Sequence, residues 1–313
     1  MFFLEDYFVI EHGAFKNKLT YTNYYLTDIT YKFNFAVIFK KSPIPKMRKN
    51  FTFLLFIICT TVFSQVKLLS WNIENLGKSK TDAEIAYIAG TIRNFDIVAI
   101  QEVVAGYGGA QAVAKLVDAL NRKGSQWNYE VSPPTVSSAY KTERYAFLWK
   151  PSKVKKIGKS WLEIKFQNQI DREPFFATFS KQGKTFTVVN FHAITKSKQP
   201  ETEIKYFKFL PQEYPSLNLI FAGDFNCPQS HSVFNPIKKM GYLPSFVNQK
   251  TSLKRSCKDG NCLASEFDNI YYLTKKVQKI EAGVLHFYTH FNSLLLARQI
   301  SDHIPIWLTF ELL

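Results

Sequence analysis

Eight short apolar runs, each five to seven residues long, divide the chain between residues 65 and 313. They restrict the fold more than any other feature, because runs of this length bounded by turn-forming residues are typical of β-strands. The dipeptide Gln182-Gly183, which separates two of the runs, predicts a hairpin turn. The predicted strands are Val66–Trp71, Asp96–Gln101, Tyr145–Trp149, Phe175–Phe179, Thr185–Phe191, Leu217–Ala222, Phe267–Leu273 and Ile304–Phe310.

Three helices are predicted between these strands. One begins at Thr81, where Glu84 three residues later completes a capping box. A second, over 110–122, carries apolar residues at helical spacing, and a shorter third covers 201–210. Many strands with few helices predict an α+β fold in which two sheets pack face to face and helices lie outside. Neither an internal repeat nor a linker marks a second domain, so 65–313 is expected to be one domain of 249 residues.

Residues 47–64 have the layout of a secretory signal peptide. Met47 is followed by Arg48 and Lys49, then by a largely apolar stretch, and Ser64 supplies a small residue before the expected cut. The stretch is short for a membrane span, and a membrane anchor or a buried helix is the alternative. A signal peptide predicts a secreted or periplasmic protein.

Signal peptides begin a chain, yet 46 residues precede Met47 here. They hold twelve aromatic residues and show no clean amphipathic period. Residues 1–46 are therefore interpreted as an overextended start or a disordered extension, with Met47 as the initiator. A genuine N-terminal extension is the alternative.

The charge of residues 65–313 indicates the kind of partner they bind, and their cysteines indicate which covalent links they can form. This part has 32 Lys and Arg against 21 Asp and Glu, a net charge of +11, which favours an anionic partner. Its cysteines are Cys227, Cys257 and Cys262. In an oxidising compartment one disulfide is expected, either Cys257–Cys262 or Cys227–Cys262, and a zinc site is the weaker alternative.

Polar residues able to do chemistry follow or precede most of the predicted strands. If the strands share sheets, their ends bring these side chains together, and function commonly accumulates there. Each motif has an ordinary structural alternative, such as an Asx turn for Asp224-Phe225-Asn226. The residues concerned are Asn72, Glu102, Glu143, Arg144, His192, Asp224, Asn226, Asp268, Asp302 and His303.

This set suits the hydrolysis of a phosphodiester. Oxygen ligands from Asn72, Glu102 and Asp302 suit Mg²⁺ or Mn²⁺, with Ca²⁺ as a further candidate. Two histidines, His192 and His303, could exchange protons near neutral pH. No GxSxG or Walker sequence is present, which argues against a serine hydrolase of that type and against a P-loop enzyme.

At these positions the chain resembles the endonuclease/exonuclease/phosphatase superfamily, and within it the deoxyribonuclease I-like branch. The resemblance covers about Val66 to Phe310. The matching segments, in family order, are SWNIENLG, DIVAIQEV, YKTERYAFLWKP, DREPFFATF, VVNFHA, FAGDFNCPQS, EFDNIYY and ISDHIPIW. It implies a four-layered α/β/β/α sandwich and a monomer that cuts DNA without marked sequence preference.

The resemblance also implies roles for individual residues. It makes His192 and His303 the general acid and base, in an order left open, with Glu143 orienting His192 and Asp268 orienting His303. Arg172 would contact the substrate backbone, since a guanidinium fork suits phosphate.

Further implied roles concern the metal and the phosphate. The resemblance makes Glu102 the main metal carboxylate, with Asn72 and Asp302 close to the metal or the phosphate. Asp224 and Asn226 would position the phosphate and a water molecule.

The sequence departs from this branch next to Glu102. The branch usually carries an arginine that enters the DNA minor groove there, whereas Val103 follows here. The departure leaves the hydrolytic residues intact, but the substrate can then differ from DNA. A phosphodiesterase or phosphatase acting on phospholipid headgroups or small phosphoesters is the alternative, and a non-catalytic binding module is the least favoured.

Overall fold

The computed structural model describes residues 65–137 and 141–313. The predicted signal peptide and the segment 1–46 lie outside the described residues. Among the helices that the structure describes, none is long and apolar enough to span a membrane.

Fourteen strands lie in the described ranges. They are β1 (Val66–Leu76), β2 (Ile97–Val104), β3 (Asn128–Val131), β4 (Glu143–Trp149), β5 (Lys155–Leu162), β6 (Phe175–Lys181), β7 (Lys184–His192), β8 (Leu219–Asp224), β9 (Tyr242–Pro244), β10 (Leu253–Lys258), β11 (Asn261–Leu263), β12 (Asp268–Leu273), β13 (Val277–Val284) and β14 (Ile306–Leu312). One six-stranded sheet has the order β13-β14-β1-β2-β4-β3, and the other has the order β5-β6-β7-β8-β12-β9. Strands β10 and β11 form a separate hairpin.

Helices cover the outer faces of both sheets. Six α-helices are described: α1 (Asp82–Ile92), α2 (Tyr107–Asn121), α3 (Glu201–Ile204), α4 (Leu210–Glu213), α5 (Asn235–Lys239) and α6 (Leu294–Ile300). Short 3₁₀ segments cover Lys196–Lys198, Lys205–Phe209, Ser232–Phe234 and Phe287–His290. Thr81 caps α1 through the predicted capping box with Glu84.

Successive residues of the central strands point into different cores. Leu68 of β1 packs between the sheets, whereas Leu69 packs under α1 and α2. Between the sheets, the rings of Phe147 and Phe175 lie 5.4 Å apart, centroid to centroid. A third core joins Phe191 and Phe221 to the helical segments between β7 and β9. Because both faces of each sheet are buried, the strands are apolar on both sides, which is why they appear in the sequence as continuous runs.

The predicted fold class, a four-layered α/β/β/α sandwich, is confirmed by these layers. All eight predicted strands are present, and Gln182-Gly183 forms the predicted turn with positive φ at both residues. The third predicted helix is wrong as one element, because 201–213 is broken into α3, a 3₁₀ turn and α4. Elements missed from the sequence are mostly exposed or short: β3, β5, β9, β10, β11, β13, α5 and α6.

The cysteines resolve the alternatives left by the sequence. Cys257 and Cys262 form a disulfide across the β10–β11 hairpin. The pairing of Cys227 with Cys262 and the zinc site are therefore wrong. Cys227 is a buried free thiol, and burial raises its pKa to about 11.

One edge of the molecule collects the ends of the central strands. Each sheet contains a parallel pair, β1 with β2 and β7 with β8, and parallel strands end at the same edge. The strands β4, β12 and β14 run antiparallel to these pairs, so they begin at that edge. The last residues of β1, β2, β7 and β8 and the first residues of β4, β12 and β14 therefore meet at this edge.

Candidate active site

A cleft of about 480 Å³ opens at this shared edge. The ten residues to which the resemblance gives a role are brought together around it, whereas Arg144 donates to the Ala105 and Ser132 carbonyls and does not line the cleft. Seven line the cleft (Glu102, Arg172, His192, Asp224, Asn226, Asp302, His303), and Asn72, Glu143 and Asp268 contact those seven from behind.

His192 is the last residue of β7 and is buried. Its Nδ1 donates to the Glu143 carboxylate, with both oxygens at 3.0 Å. This hydrogen bond fixes the orientation of the ring and leaves Nε2 on the cleft side, 3.5 Å from Asp224 Oδ2. The Tyr145 hydroxyl accepts a hydrogen bond from the His192 backbone and holds the strand end in place.

His303 has the same arrangement on the other sheet. Its Nδ1 donates to Asp268 Oδ2 at 2.7 Å, and its Nε2 lies 3.5 Å from Asp224 Oδ2. The Thr251 hydroxyl donates to the same oxygen of Asp268 at 2.6 Å. The backbone is fixed by Trp71, whose indole N–H donates to the His303 carbonyl at 2.8 Å.

Asp224 lies between the two rings, and its side chain is only 1% exposed. Because a buried carboxylate is costly unless it is paired, its surroundings matter. Oδ1 accepts the Asn226 backbone N–H at 2.8 Å, and Oδ2 accepts the Asn72 amide at 3.2 Å. The bond from Asn226 is the Asx turn that the sequence allowed, and in this structure it also shapes the site.

The turn after β8 needs glycine at its start. Gly223 has φ +148, and a Cβ at this position would overlap the Phe191 carbonyl of β7. Asn226 adopts φ +49, a left-handed conformation that asparagine tolerates. Its side-chain amide donates to the Ala193 carbonyl at 3.1 Å, which ties the turn to the chain following His192.

Glu102 reaches the cleft from an irregularity in β2. Its φ is +59, unusual for a residue with a side chain, and the register against β4 shifts between Ile100 and Val103. Its carboxylate accepts the Asn72 amide at 2.9 Å and the Asn75 backbone N–H at 3.3 Å. The bulge thus turns Glu102 toward Asn72 at the edge of the cleft.

Asn72 gives a structural test of whether a cation fits here. Its amide nitrogen donates to Glu102 and Asp224, whereas its Oδ1 is buried and accepts no hydrogen bond among the described residues. An orphaned buried carbonyl oxygen beside a partly exposed carboxylate is a favourable donor set for a hard divalent cation. The residues present therefore fit such a metal.

Asp224, Asp268 and His303 also offer ligand atoms within 4.8 Å of one another. Their contacts favour proton chemistry over metal binding, because Asp268 Oδ2 already accepts from both His303 and Thr251. Asp302 and Glu74 lie at the rim of the same cleft. Burial, Asp302 and Glu102 raise the pKa of Glu74.

Arg172 is placed differently from a residue that simply reaches out to substrate. Its guanidinium is buried and donates to Glu143 at 3.2 Å, to the His192 carbonyl at 3.0 Å and to the Ala193 carbonyl. These bonds position Glu143 and the end of β7. A direct contact between Arg172 and substrate stays a prediction.

The charges around the two histidines shift their proton equilibria. Burial and Arg172 lower the pKa of His192, but Glu143 and Asp224 outweigh them and raise it above its ordinary value. Burial likewise lowers the pKa of His303, whereas Asp268 and Asp224 raise it well above its ordinary value. Burial raises the pKa of Asp224, but the two histidines hold it below its usual range.

Sequence reasoning missed several residues that support the cleft. Arg298 of α6 contacts Asp302 at 3.4 Å, and the spacing of four residues between them was a signal that could have revealed the pair. Thr251 precedes Asp268 by seventeen residues, and no sequence signal links the two. Arg255 lines the cleft from β10, in a basic run that the motifs do not include.

Comparison with known proteins identifies relatives of this arrangement. The profile of the Endonuclease/Exonuclease/phosphatase family matches residues 69–303. A deoxyribonuclease of Thioalkalivibrio sp. (strain K90mix) is 27% identical over 286 residues, which cover 84% of this chain and 76% of the relative. Bovine deoxyribonuclease-1 is 32% identical over 178 residues, which cover 53% of this chain and 62% of the bovine protein.

Solved structures share the fold at low sequence identity. An endonuclease/exonuclease/phosphatase family protein from Bacteroides thetaiotaomicron superposes with a TM-score of 0.58 and 17% identity. The match covers 79% of this chain and 97% of that protein. At this identity the likeness supports the sandwich fold alone.

The pKa of His192 provides a test of the Glu143 contact. Replacing Glu143→Gln removes the charge that raises this pKa, while burial and Arg172 continue to lower it. We expect the pKa of His192 to fall below its wild-type value in NMR titrations of the imidazole signals in metal-free buffer. Glu311→Gln, at the far end of β14, is the matched control and should leave the pKa of His192 at its wild-type value. An equal or higher pKa in the Glu143 variant would contradict the contact.

Proposed function

Because the chain belongs to the endonuclease/exonuclease/phosphatase family, we propose that it is a divalent-metal-dependent phosphodiesterase that cuts DNA as an endonuclease. The two relatives of highest similarity reported above are named deoxyribonucleases, which supports DNA as the substrate. The predicted signal peptide supports secretion or export to the periplasm. The proposal covers substrate, metal and location, each with its own test.

The paired histidines are the single observation that carries this proposal. His192 ends β7 of one sheet, whereas His303 lies three residues before β14 of the other. Each has a carboxylate on Nδ1, and each directs Nε2 toward the same oxygen of Asp224. This arrangement leaves two nitrogens on opposite rings that can exchange protons with a group lying in the cleft. A binding module has no need of two such pairs.

Hydrolysis of a phosphodiester requires one proton to be removed and one to be supplied. One histidine Nε2 would accept the proton of the attacking water, and the other would donate a proton to the oxygen that leaves phosphorus. Glu143 and Asp268 would stabilise the positive charge on the ring that they contact. The two rings have contacts of the same kind, so the order of acid and base is left open.

Asn72 Oδ1 and the Glu102 carboxylate are the groups that would hold the metal, with Asp302 nearby at the rim. A divalent cation bound there would neutralise negative charge on the phosphate. Mg²⁺ or Mn²⁺ suits these oxygen ligands, and Ca²⁺ is a further candidate. Asn226 and the backbone following Asp224 would position the phosphate between the rings.

The walls of the cleft offer little apolar surface to a lipid chain, because Phe267 and Leu253 are among their few large apolar residues. Three arginines and four acids line the cleft, and Arg172 and Arg298 are paired with acids, which leaves Arg255 as the exposed cation at its edge. A basic protein gains salt-sensitive affinity for any nucleic acid through phosphate contacts. The net charge of +11 over residues 65–313 agrees with such a partner.

The substrate and the metal can be tested together with the wild-type chain. We expect it to nick plasmid DNA and to hydrolyse bis(4-nitrophenyl) phosphate, with activity lost in EDTA and restored by Mg²⁺ or Mn²⁺. RNA and sphingomyelin serve as competing substrates in parallel assays. Activity that persists in EDTA would contradict the metal assignment, and a preference for sphingomyelin over DNA would contradict the substrate.

The histidines are tested by substitution. His192→Ala and His303→Ala should each lower kcat on DNA by roughly 10²- to 10⁴-fold, since general acid–base groups typically contribute that much. His290→Ala, at an exposed histidine outside the cleft, is the matched control and should keep wild-type activity. Circular dichroism and thermal unfolding establish that each variant is folded. A folded cleft variant with a near wild-type rate would remove that histidine from the mechanism.

The export proposal rests on the sequence of residues 47–64. We expect the native host to release a protein that begins at Gln65, in the periplasm or the medium. N-terminal sequencing of the protein from cell fractions measures this directly. Recovery of a cytosolic chain that retains residues 1–46 would contradict both the export and the proposed start at Met47.

A further inference from the structure

The β10–β11 hairpin is a separate arm beside the cleft. Its strands pair only with each other in the described residues, outside the two main sheets. The disulfide between Cys257 and Cys262 closes it through Lys258-Asp259-Gly260-Asn261. A cross-link over so short a loop limits the conformations that the arm can adopt.

The base of the arm is joined to the segment that carries His303. Ser252 forms an isolated β-bridge with His303, and the Ile304 backbone N–H donates to the Thr251 carbonyl at 2.8 Å. The Leu253 N–H donates to the Asp302 carbonyl at 2.6 Å. The position of the arm is thus tied to one of the two catalytic histidines.

The arm carries more positive than negative charge. It contains one acid, Asp259, and three basic residues, Lys254, Arg255 and Lys258. Arg255 and Lys258 are exposed, and in the described part of the chain no ion pair neutralises either of them. Arg255 lines the cleft itself, whereas Lys258 lies near the tip of the arm.

We propose that this disulfide-closed arm binds the phosphate backbone of the nucleic acid beyond the scissile phosphate, on the His303 side. The inference rests on the proposed function and adds to it a binding surface outside the reacting centre. Arg255 would contact a phosphate next to the cleft, and Lys258 would contact a phosphate farther along the nucleic acid strand.

The length of the arm favours a polymer over a small phosphoester. Lys258 follows Arg255 by three positions along β10, a span of up to about 10 Å at ~3.3 Å per residue. Successive phosphates of one DNA strand advance by about 3.4 Å along the helix axis, so a polynucleotide presents charge over this distance. A small ester held between the histidines would not extend to Lys258.

The test compares two charge-removing double variants of the full chain. Arg255→Ala with Lys258→Ala alters the arm. Lys155→Ala with Lys275→Ala removes the same charge at the far ends of β5 and β12 and serves as the matched control. Steady-state rates are measured on a DNA duplex and on bis(4-nitrophenyl) phosphate at several salt concentrations.

We expect the arm variant to raise KM for DNA by roughly tenfold at moderate salt. The slope of log affinity against log salt concentration should become shallower by about 0.9 for each phosphate contact that is lost. Lys258→Ala alone, which leaves every residue that lines the cleft in place, should lower the rate on the small ester by less than threefold, and the control should behave as wild type. Arg255→Lys, which keeps the positive charge, should keep most of the wild-type affinity for DNA. Cys257→Ser with Cys262→Ser should also raise KM for DNA while keeping the charge of the arm.

Several outcomes would overturn the proposal. If the arm variant and the control have equal KM values for DNA, the arm does not bind the backbone. The same conclusion follows if the arm variant loses binding to phosphatidylserine vesicles while its KM for DNA stays at the wild-type value. If the wild type hydrolyses neither DNA nor the small ester, the proposed function fails instead, so the two failures are distinguishable.

Discussion

A carboxylate buried between two sheets, that of Asp224, is the constraint on which the site depends. Removing a carboxylate from water is costly unless charges and donors compensate for it. Here the compensation comes from Asn72 of one sheet, from the Asn226 backbone, and from His192 and His303, whose Nε2 atoms both lie 3.5 Å from one oxygen. The groups that stabilise the buried charge are the same groups that would carry the reaction.

The topology makes that convergence a consequence of the fold. Each sheet contributes one parallel pair, and the shared edge collects the ends of both pairs. Directly beneath the cleft, Gln101 and Asn190 are fully buried and hydrogen-bonded to each other across the sheets. Asn190 also donates to the Ile100 and Ala146 carbonyls, which fixes the spacing of the sheets. Gln101 also donates to the Ser70 hydroxyl at 3.0 Å, whereas its Oε1 accepts no hydrogen bond among the described residues. The bonds between Gln101 and Asn190 and from Asn190 to the two strands hold the two halves of the site in register.

The sequence predicts the parts of this arrangement that depend on buried strands. Strands buried on both faces leave continuous apolar runs, and the polar residues at their ends include nine of the ten predicted site residues, whereas Arg172 was added by the family resemblance. The bulge at Glu102 and the break after Ile204 could not be predicted, because they depend on local backbone geometry. Thr251 was missed because tertiary packing brings it to Asp268, seventeen residues away, and no local pattern links the two.

This division has a physical consequence for substrate choice. The histidines proposed to transfer protons lie at or next to buried strand ends, where packing and paired charges fix their geometry within narrow limits. The cations that extend beyond them, such as Arg255 and Lys258, lie on an exposed arm whose sequence is free to change without disturbing the sheets. Within one family, the hydrolytic chemistry can therefore stay the same while the surrounding surface selects the phosphoester. In this chain the arm beside His303 is basic and closed by a disulfide, and its proposed contact with a nucleic acid backbone would select a long, charged substrate.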